Sequence, residues 1–456
     1  MRFWTHTGGV GLAVAFLAAP LAAQEMTTTT LDNGLEVIVI ENHSVPLVTV
    51  EMDVRNGAFT ESPEYDGLSH LYEHMFFKAN RTIPDQESYM ARVRKLGIVL
   101  NGTTSEERVN YYFTLGVDSL QAGLDFMEDA IRYPLFLQEE LERERPVVLG
   151  EYDRNEANPF FHLLIAVDEK TWSPEYFSRK NVIGDRDVIS TATQEKMRTV
   201  QETYYIPNNS ALILSGDITP EEGFRLAEEV FGDWPRGPDP FAEPVSDPPA
   251  LEAADAVIVE LPVQATAAII RWHGPSVDED PEATYAADLM IYMLNRPGSQ
   301  FQTALVDSGL AVGVNFGYTT LSHVGPITVF AQTTPAMVTE LNRAIHAEIA
   351  RLVDPDYFSA EDMSSAKTQL AINDTYSRES SSNIAHTVGF WWAVAGIDYY
   401  KSYVDNIKQV TQDNIARFVD TYLTGRPYVT GVLINPEARA EIGLTTETLL
   451  AEEVAP

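Results

Sequence analysis

The chain has 456 residues, of which 45% are hydrophobic, so it can fill the cores of two or more domains. It contains no cysteine, which excludes disulfide bonds, zinc sites built on thiolates and a lipid anchor on cysteine. Its formal net charge of −36 argues against nucleic acid and anionic membrane surfaces as partners, because their phosphates would be repelled.

The first predicted element is an export signal over residues 1–23. Arg2 supplies a positive charge, residues 10–21 form an apolar stretch, and small residues precede a cleavage point at Gln24. The alternative is a membrane anchor, but the apolar stretch is short of the about 20 residues that span a bilayer. We therefore expect a periplasmic protein of a Gram-negative bacterium, with no membrane association in its mature form.

The next predicted element is a short helix that carries His70, Glu73 and His74. These positions are related as i, i+3 and i+4, so they share one helical face, and the apolar residues around them fall on the opposite face. Two imidazoles one turn apart can both bind one Zn²⁺ at ~2.0–2.1 Å, and a carboxylate beside them can take a proton from water. The alternative is a polar helix face without a metal, but only nine histidines occur in the chain. Asp66 is the predicted N-cap of this helix.

The order His-x-x-Glu-His reverses the more common zinc-protease motif His-Glu-x-x-His and is typical of inverzincins. Around and after it, four blocks within residues 30–235 resemble the pitrilysin (M16) family of zinc peptidases and stand in that family's order: GLSHLYEHMFFKAN, LGIVLNGTTSEERVNYYFTL, LERERPVVLGEYDRNEANP and YYIPNNSALILSGD. The resemblance implies a zinc metallopeptidase with one Zn²⁺ per chain. In it, His70, His74 and a glutamate on a later helix hold the metal, and Glu73 is the general base.

The resemblance places the third metal ligand at Glu151. Glu144 lies two helical turns earlier on the same face and resembles an acid that orients a ligand. The alternative for Glu144 is an ordinary acidic helix surface. Pro146 lies between them, and because a proline inside a helix removes a hydrogen bond, we expect the helix of Glu151 to begin near it.

The residues Asn101, Gly102 and Thr103 resemble the start of the family's Asn-Ala-x-Thr segment. The resemblance implies an edge strand that binds the peptide substrate through backbone hydrogen bonds. The alternative is a turn, which Asn-Gly pairs favour. Glycine in place of alanine is expected to loosen the strand slightly.

A proline-rich stretch divides the chain into halves of similar length. We predict an N-terminal domain with the zinc site over residues 24–232, a linker over residues 233–252 and a C-terminal domain over residues 253–456. Pro63 matches Pro281, 218 positions later, so the halves look like duplicated α+β domains. In the M16 family such a pair, each an antiparallel-rich sheet with helices, forms one half of a clam-shell. At this offset the zinc-site residues of the first half correspond to a set that cannot hold zinc: Asp288, Ile291, Tyr292 and Gln369.

The C-terminal half departs from the family in one respect. Active relatives often carry an arginine and a tyrosine there, which contact the substrate and help to stabilise the oxyanion. The matching positions hold Val306 and Val312, whose side chains cannot donate a hydrogen bond. The resemblance therefore implies a second M16-like chain that supplies both groups. We expect a heterodimer, and the alternative is a homodimer in which other groups replace the pair.

These features predict a subunit of a zinc-dependent endopeptidase that hydrolyses peptides or unfolded polypeptide segments in an enclosed chamber. The main alternative is a non-catalytic M16-like scaffold or chaperone-like subunit that binds zinc and peptide. A zinc-storage protein is a second alternative, but it would not need Glu73 as an unliganded base at the metal. Six other histidines lack ligand spacing with one another, and we expect each to have a structural role or to lie on the surface: His43, His162, His273, His323, His346 and His386.

Overall fold

The computed structural model of the chain describes residues 26–172, 176 and 179–450. They form two mixed β-sheets packed with helices, which confirms the predicted α+β class. The predicted export signal lies outside the described residues. Within the part of the chain that is described, no helix is both long and apolar enough to cross a lipid bilayer.

The N-terminal half builds a six-stranded sheet in the order β1-β2-β6-β3-β5-β4. Strands β2 and β6 are parallel, and the other neighbouring strands are antiparallel. The strands are β1 Met26–Thr30, β2 Glu36–Glu41, β3 Leu47–Val54, β4 Val99–Thr104, β5 Val109–Gly116 and β6 Ser210–Gly216. The helices are α1 Leu68–Phe76, α2 Gln86–Leu96, α3 Leu120–Arg132, α4 Gln138–Glu156, α5 Pro159–Trp172, α6 Arg186–Ser190, α7 Gln194–Tyr204 and α8 Pro220–Phe231.

The C-terminal half builds a five-stranded sheet in the order β7-β11-β8-β10-β9. Its strands are β7 Asp255–Glu260, β8 Thr266–His273, β9 Gly313–Tyr318, β10 Pro326–Thr333 and β11 Val429–Ile434. Its helices are α9 Pro281–Leu294, α10 Gln300–Gln302, α11 Val338–Arg351, α12 Ala360–Ser377, α13 Ser381–Val394, α14 Ile397–Gln409, α15 Gln412–Tyr422, α16 Pro436–Ile442 and α17 Thr446–Leu450.

The two sheets share one strand order once β1 is set aside. In each, the first and last strands of the repeat pair in parallel, as β2 with β6 and β7 with β11. The central strands β3 and β8 begin at Leu47 and Thr266, one position from the predicted offset. The predicted duplication is therefore confirmed. Neither a helix nor a strand lies between α8 and β7, where the linker is predicted, and the bounds of the two domains stay a prediction.

Side chains along β3 alternate between the two faces of the first sheet, with apolar residues on one face and acidic residues on the other. Val48, Val50 and Met52 are fully buried in the main core of the N-terminal half. Glu51 and Asp53 point to the opposite face, as the two-residue period of a strand requires. That face is buried as well, so another part of the chain must cover it.

The covering element on each sheet is a helix from the other half. Helix α5 packs on β7, β8 and β11, where Leu163 and Val167 join an apolar cluster with Leu433. Helix α13 packs on β3 and β6, where Trp392 joins a cluster with Ile213. Because α5 and α13 occupy equivalent places in the repeat, the two halves exchange the same helix, and we call α5 and α13 the exchanged helices.

A buried polar cluster accompanies the contact of α13 with β3. Arg108 Nη1 lies 3.3 Å from Asp53 Oδ1 and 3.9 Å from Glu51 Oε1, and it donates to the His386 carbonyl at 2.9 Å. Glu51 Oε2 lies 2.5 Å from His386 Nδ1. Burial, reinforced by the charge of Glu51, raises the pKa of Asp53 well above its ordinary value. We call Glu51, Asp53, Arg108 and His386 the interdomain polar cluster.

Candidate metal centre

Helix α1 presents His70, Glu73 and His74 on one face, as the spacing predicts. Its opposite face is buried in the core through residues that include Leu71 and Met75. The side chains of His70 and His74 keep 14% and 16% of their surface exposed. Core packing therefore fixes the helix, while both imidazoles reach the edge of a solvent-accessible site.

The N-cap of α1 is Gly67, so the prediction of Asp66 was wrong. Gly67 adopts a left-handed conformation with φ of 89°. The carboxylate of Glu61 accepts hydrogen bonds from the backbone N–H groups of Gly67 at 2.9 Å and Ser69 at 2.6 Å. Asp66 instead pairs with Lys180. A capping signal considers the residue beside the helix, whereas here the carboxylate comes from an earlier turn of the chain.

Helix α4 carries Glu151 and runs without a break through Pro146, so the expectation of a helix that begins at this proline was wrong. The buried face of α4 includes Leu141, Glu144 and Val148, at i, i+3 and i+7, and Glu151 is the next position on that face. The proline removes one backbone hydrogen bond. Packing of this face against α1 keeps the helix continuous.

Glu151 meets the two histidines of α1. Its Oε2 lies 3.5 Å from His70 Nε2 and 3.7 Å from His74 Nε2. One possible ligand atom from each of the three residues lies within 4.8 Å of the others, and no other such group of three occurs among the described residues. Two imidazoles and one carboxylate form a donor set that catalytic zinc sites use. The predicted ligands thus lie together, and their role in binding metal stays a prediction.

Glu144 contacts His74 at the ring nitrogen that does not face Glu151. His74 Nδ1 lies 2.8 Å from Glu144 Oε1, and Glu144 Oε2 lies 2.5 Å from Lys78 Nζ. If Nδ1 donates its proton to Glu144, Nε2 keeps a free lone pair on the side that faces Glu151. Lys78 was missed in the sequence, although its position four residues after His74 is a helical-spacing signal.

The protonation of the two histidines is compatible with zinc. Burial, together with the neighbouring His74, lowers the pKa of His70 to about 4, so His70 is neutral. Burial alone would lower the pKa of His74 too, but the hydrogen bond and charge of Glu144, with the charges of Glu73 and Glu151, outweigh it and raise that pKa. A metal binds only the neutral imidazole, so it would displace a proton from His74. The donor set therefore fits Zn²⁺.

Glu73 lies beside this donor set without belonging to it. Thr104 Oγ1 donates a hydrogen bond to Glu73 Oε2 at 2.8 Å. Burial raises the pKa of Glu73 above its ordinary value, and the hydrogen bond from Thr104 and the nearby His74 only partly offset this. A carboxylate with a raised pKa is a better proton acceptor near neutral pH. Thr104 stands at the threonine of the Asn-Ala-x-Thr pattern, but its contact with Glu73 was not predicted, because no sequence spacing connects β4 with α1.

The residues Asn101, Gly102 and Thr103 lie in β4, which is an edge strand of the first sheet. The alternative of a turn was therefore wrong. Strand β4 pairs with β5 on one side, and no described strand pairs with its other side. A Cβ on Gly102 would lie 3.0 Å from Glu73 Cγ, so glycine allows this strand to approach α1 closely. Pairing of a substrate with β4 stays a prediction.

Two family models match the chain, and together they span most of it. The model described as Insulinase (Peptidase family M16) matches residues 36–180, and the one described as Peptidase M16 inactive domain matches residues 191–370. The chain belongs to peptidase family M16. The three candidate ligands of this M16 protein lie within the first match. The second match includes the positions at which the corresponding residues of the C-terminal half are replaced.

Relatives of this M16 chain carry names of proteases. An uncharacterized zinc protease of Rickettsia felis is 25% identical over 372 residues, which cover 80% of this chain and 87% of the relative. A probable mitochondrial-processing peptidase subunit beta of Arabidopsis thaliana is 25% identical over 382 residues, which cover 81% of this chain and 70% of the relative. At the level of the family, the chain is therefore a peptidase-like hydrolase related to named zinc proteases.

Solved structures share the M16 fold over nearly the whole chain. A protease from Helicobacter pylori has a TM-score of 0.81 at 19% identity and covers 90% of this chain and 100% of its own. The first half of the periplasmic protease PqqL from Escherichia coli has a TM-score of 0.76 at 17% identity, with 95% and 99% covered. At such identities the likeness establishes the fold alone.

The two valines of the second M16 domain have different surroundings. Val306 lies in a π-helical turn, Thr303–Asp307, and packs against the core of the C-terminal half. Val312 exposes 72% of its surface just before β9. Neither side chain offers a hydrogen-bond donor, so neither side chain can stabilise an oxyanion.

Proposed function

We propose that this chain is the zinc-bearing subunit of an M16 endopeptidase that hydrolyses peptides or unfolded polypeptide segments. One observation carries the proposal: Nε2 of His70 and Nε2 of His74 face Oε2 of Glu151, while Glu73 lies beside them and is held by Thr104. The rival roles, a scaffold or chaperone-like subunit and a zinc-storage protein, need a metal or a peptide surface. They do not need a half-buried proton acceptor next to the metal.

In this proposal His70, His74 and Glu151 hold one Zn²⁺ per chain, and Glu144 orients His74. Zinc, when bound, supplies a Lewis acid that makes water more acidic and polarises the scissile carbonyl. Thr104 donates to Oε2 of Glu73, which leaves Oε1 to accept the proton of the attacking water while the water oxygen forms a bond to the carbonyl carbon. Glu73 then donates this proton to the leaving amine nitrogen as the C–N bond breaks.

The substrate is proposed to bind as an added strand on the free edge of β4, at Asn101, Gly102 and Thr103. Backbone pairing of this kind selects an extended chain and not a folded one. Because Gly102 lies against Glu73, a peptide on this edge passes close to the proton acceptor. This supports peptides and unfolded segments as the substrate class.

We also propose export to the periplasm after cleavage of the signal over residues 1–23, which leaves domains over residues 24–232 and 253–456. The apolar stretch and the small residues before Gln24 support export. The fold shared with a protein named a periplasmic protease agrees with it. The exported chain is proposed to form one half of a clam-shell around an enclosed chamber.

The first prediction concerns the metal content. Purified protein is expected to contain close to one zinc per chain by elemental analysis. His74→Ala and Glu151→Ala each remove one of three protein ligands, so both should lower the zinc content. His162→Ala is the matched control, because the His162 ring lies on the surface next to the Glu156 carbonyl and belongs to no candidate metal cluster. Full zinc occupancy in Glu151→Ala would remove Glu151 from the site.

The second prediction concerns the partner. Since Val306 and Val312 cannot donate hydrogen bonds, a second M16-like chain with arginine and tyrosine at these positions is proposed to complete the site. The name of one relative as a subunit beta supports such a pairing. One oxyanion donor typically contributes ~10²–10³ in rate, so adding the partner should raise hydrolysis of an unstructured peptide by at least ~10²-fold. Full activity of the lone chain, unchanged by the partner, would favour the homodimer.

A further inference from the structure

The C-terminal half contains an open cleft of about 590 Å³ at the place that the metal centre occupies in the first half. Its walls come from α9, β9, α12 and α14. Helix α9, strand β9 and helix α12 are the counterparts of α1, β4 and α4 in the repeat. The lining side chains include Asp288, Tyr292, Arg296, Tyr318, Leu370 and Tyr403.

An ion pair of the metal centre recurs at this cleft. Lys78 Nζ lies 2.5 Å from Glu144 in the first half, and Arg296 Nη2 lies 2.9 Å from Asp362 in the second. Both partners match at the offset of 218 positions. The second half thus keeps the frame that supports the metal centre, while Asp288 stands in place of the ligand His70.

The negative charge of Asp288 has no cationic partner of its own. Arg296 is already paired with Asp362, and within the described ranges no lysine or arginine forms an ion pair with Asp288. Its one hydrogen bond from a side chain comes from the Tyr403 hydroxyl, which donates to Oδ2 at 2.8 Å. Burial raises the pKa of Asp288 to about 6, against the effect of Tyr403. A half-buried carboxylate of this kind is stabilised by a cation that enters the cleft.

The rest of the lining suits an organic cation better than a metal ion. Three aromatic rings, of Tyr292, Tyr318 and Tyr403, and the apolar side chains of Ile291 and Leu370 line the cleft. Aromatic faces attract ammonium and guanidinium groups, and apolar walls suit the methylene groups that carry them. A metal ion would find one carboxylate and no imidazole there.

We propose that this cleft binds an ammonium or guanidinium group of a peptide, with Asp288 as its counter-ion and the tyrosine rings as its walls. The net charge of −36 favours the approach of such peptides. The site goes beyond the proposed hydrolysis and does not depend on it, because it lies in the half that lacks the zinc ligands. It gives the chain a preference for basic peptides.

The test is a binding titration on the full chain, with Glu73→Gln present so that no peptide is cut. Three unstructured ten-residue peptides serve as probes: one with a central lysine and an acetylated amino terminus, one with norleucine in place of lysine, and the norleucine peptide with a free amino terminus. The lysine peptide should bind about tenfold tighter than its acetylated norleucine match. Tighter binding of the third peptide would assign the cation to the terminal amine.

Asp288→Asn should abolish the tighter binding of the lysine peptide relative to the acetylated norleucine peptide. The affinity for the acetylated norleucine peptide itself should not change. Asparagine keeps the size of the side chain and an acceptor for Tyr403. Glu282→Gln is the matched control, because Glu282 is an exposed charge on the same helix. This variant should still bind the lysine peptide more tightly than the acetylated norleucine peptide. Equal affinities for all three peptides, or a gain that survives Asp288→Asn, would overturn the proposal.

A steric variant tests the cleft without a change of charge. Gly317 lines the cleft, and a Cβ there would meet no atom closer than 3.8 Å, so Gly317→Val should be accommodated and fill part of the cleft. The lysine peptide should then bind several-fold more weakly, and unchanged affinity would contradict the location. Since the readout is binding alone, a chain that failed to hydrolyse any peptide would leave this result intact.

Discussion

Glu73→Gln is expected to lower peptide hydrolysis by at least ~10²-fold while the chain keeps its zinc. The amide has the size of the carboxylate and can still accept the hydrogen bond from Thr104, but it cannot take a proton from water. The measurement is kcat/KM on an unstructured peptide in the presence of the partner chain, together with zinc content. Activity of the parent should also fall as pH drops through the raised pKa of Glu73, because only the ionised carboxylate accepts a proton.

Glu139→Gln is the matched control for this substitution. Glu139 is a highly exposed glutamate on α4, with 85% of its side chain accessible, and its replacement should change neither zinc content nor turnover. Near-normal turnover of Glu73→Gln would rule out the proposed proton acceptor. Loss of zinc from this variant would instead identify Glu73 as a ligand.

Arg108→Met is expected to destabilise the folded chain by ~3–5 kcal/mol, the range for a buried charge that loses its partner. Glu51 and Asp53 are fully buried between β3 and α13, and Arg108 is the arginine that pairs with both. His386 would remain beside Glu51, but no other lysine or arginine in the described part of the chain pairs with Asp53. Urea unfolding at neutral pH measures the loss.

Two further measurements test this explanation. Lowering the pH should recover part of the stability of Arg108→Met, because protonation of Asp53 removes one of two buried charges. Arg225→Met removes an exposed arginine that pairs with Glu222 on the surface of α8, and such pairs contribute at most ~1 kcal/mol. Equal losses in the two variants would show that the interdomain polar cluster is no more important than a surface pair.

Local pattern was enough to predict α1 and its three polar residues. Helical spacing placed His70, Glu73 and His74 on one face, and the structure has them there. Glu151 lies on a different helix, and no periodicity connects it to α1, so only the resemblance to a family could suggest it. The duplication was visible because matching residues recur at a constant offset.

Other features depend on contacts that a linear pattern does not contain. The cap from Glu61 and the hydrogen bond from Thr104 arise where separate segments meet. The continuity of α4 through Pro146 depends on packing that outweighs one lost hydrogen bond. The replacement of His70 by Asp288 predicted a missing metal, and the cleft beside it became visible only when α9, α12 and α14 were placed together. An apolar stripe on α5 or α13 predicts that the helix packs against something, but it does not tell which of the two sheets the helix covers.

The exchanged helices bear on how this chain arose. A single copy of the repeat whose α5 or α13 extends to another sheet leaves one face of its own sheet bare, and an exposed apolar sheet face is not stable in water. A one-domain ancestor would therefore have been a symmetric dimer whose subunits swapped this helix. Gene duplication and fusion through the segment between α8 and β7 would then have joined the two subunits in one polypeptide. Once fused, the two copies could diverge, and equivalent positions now hold His70 in the first copy and Asp288 in the second.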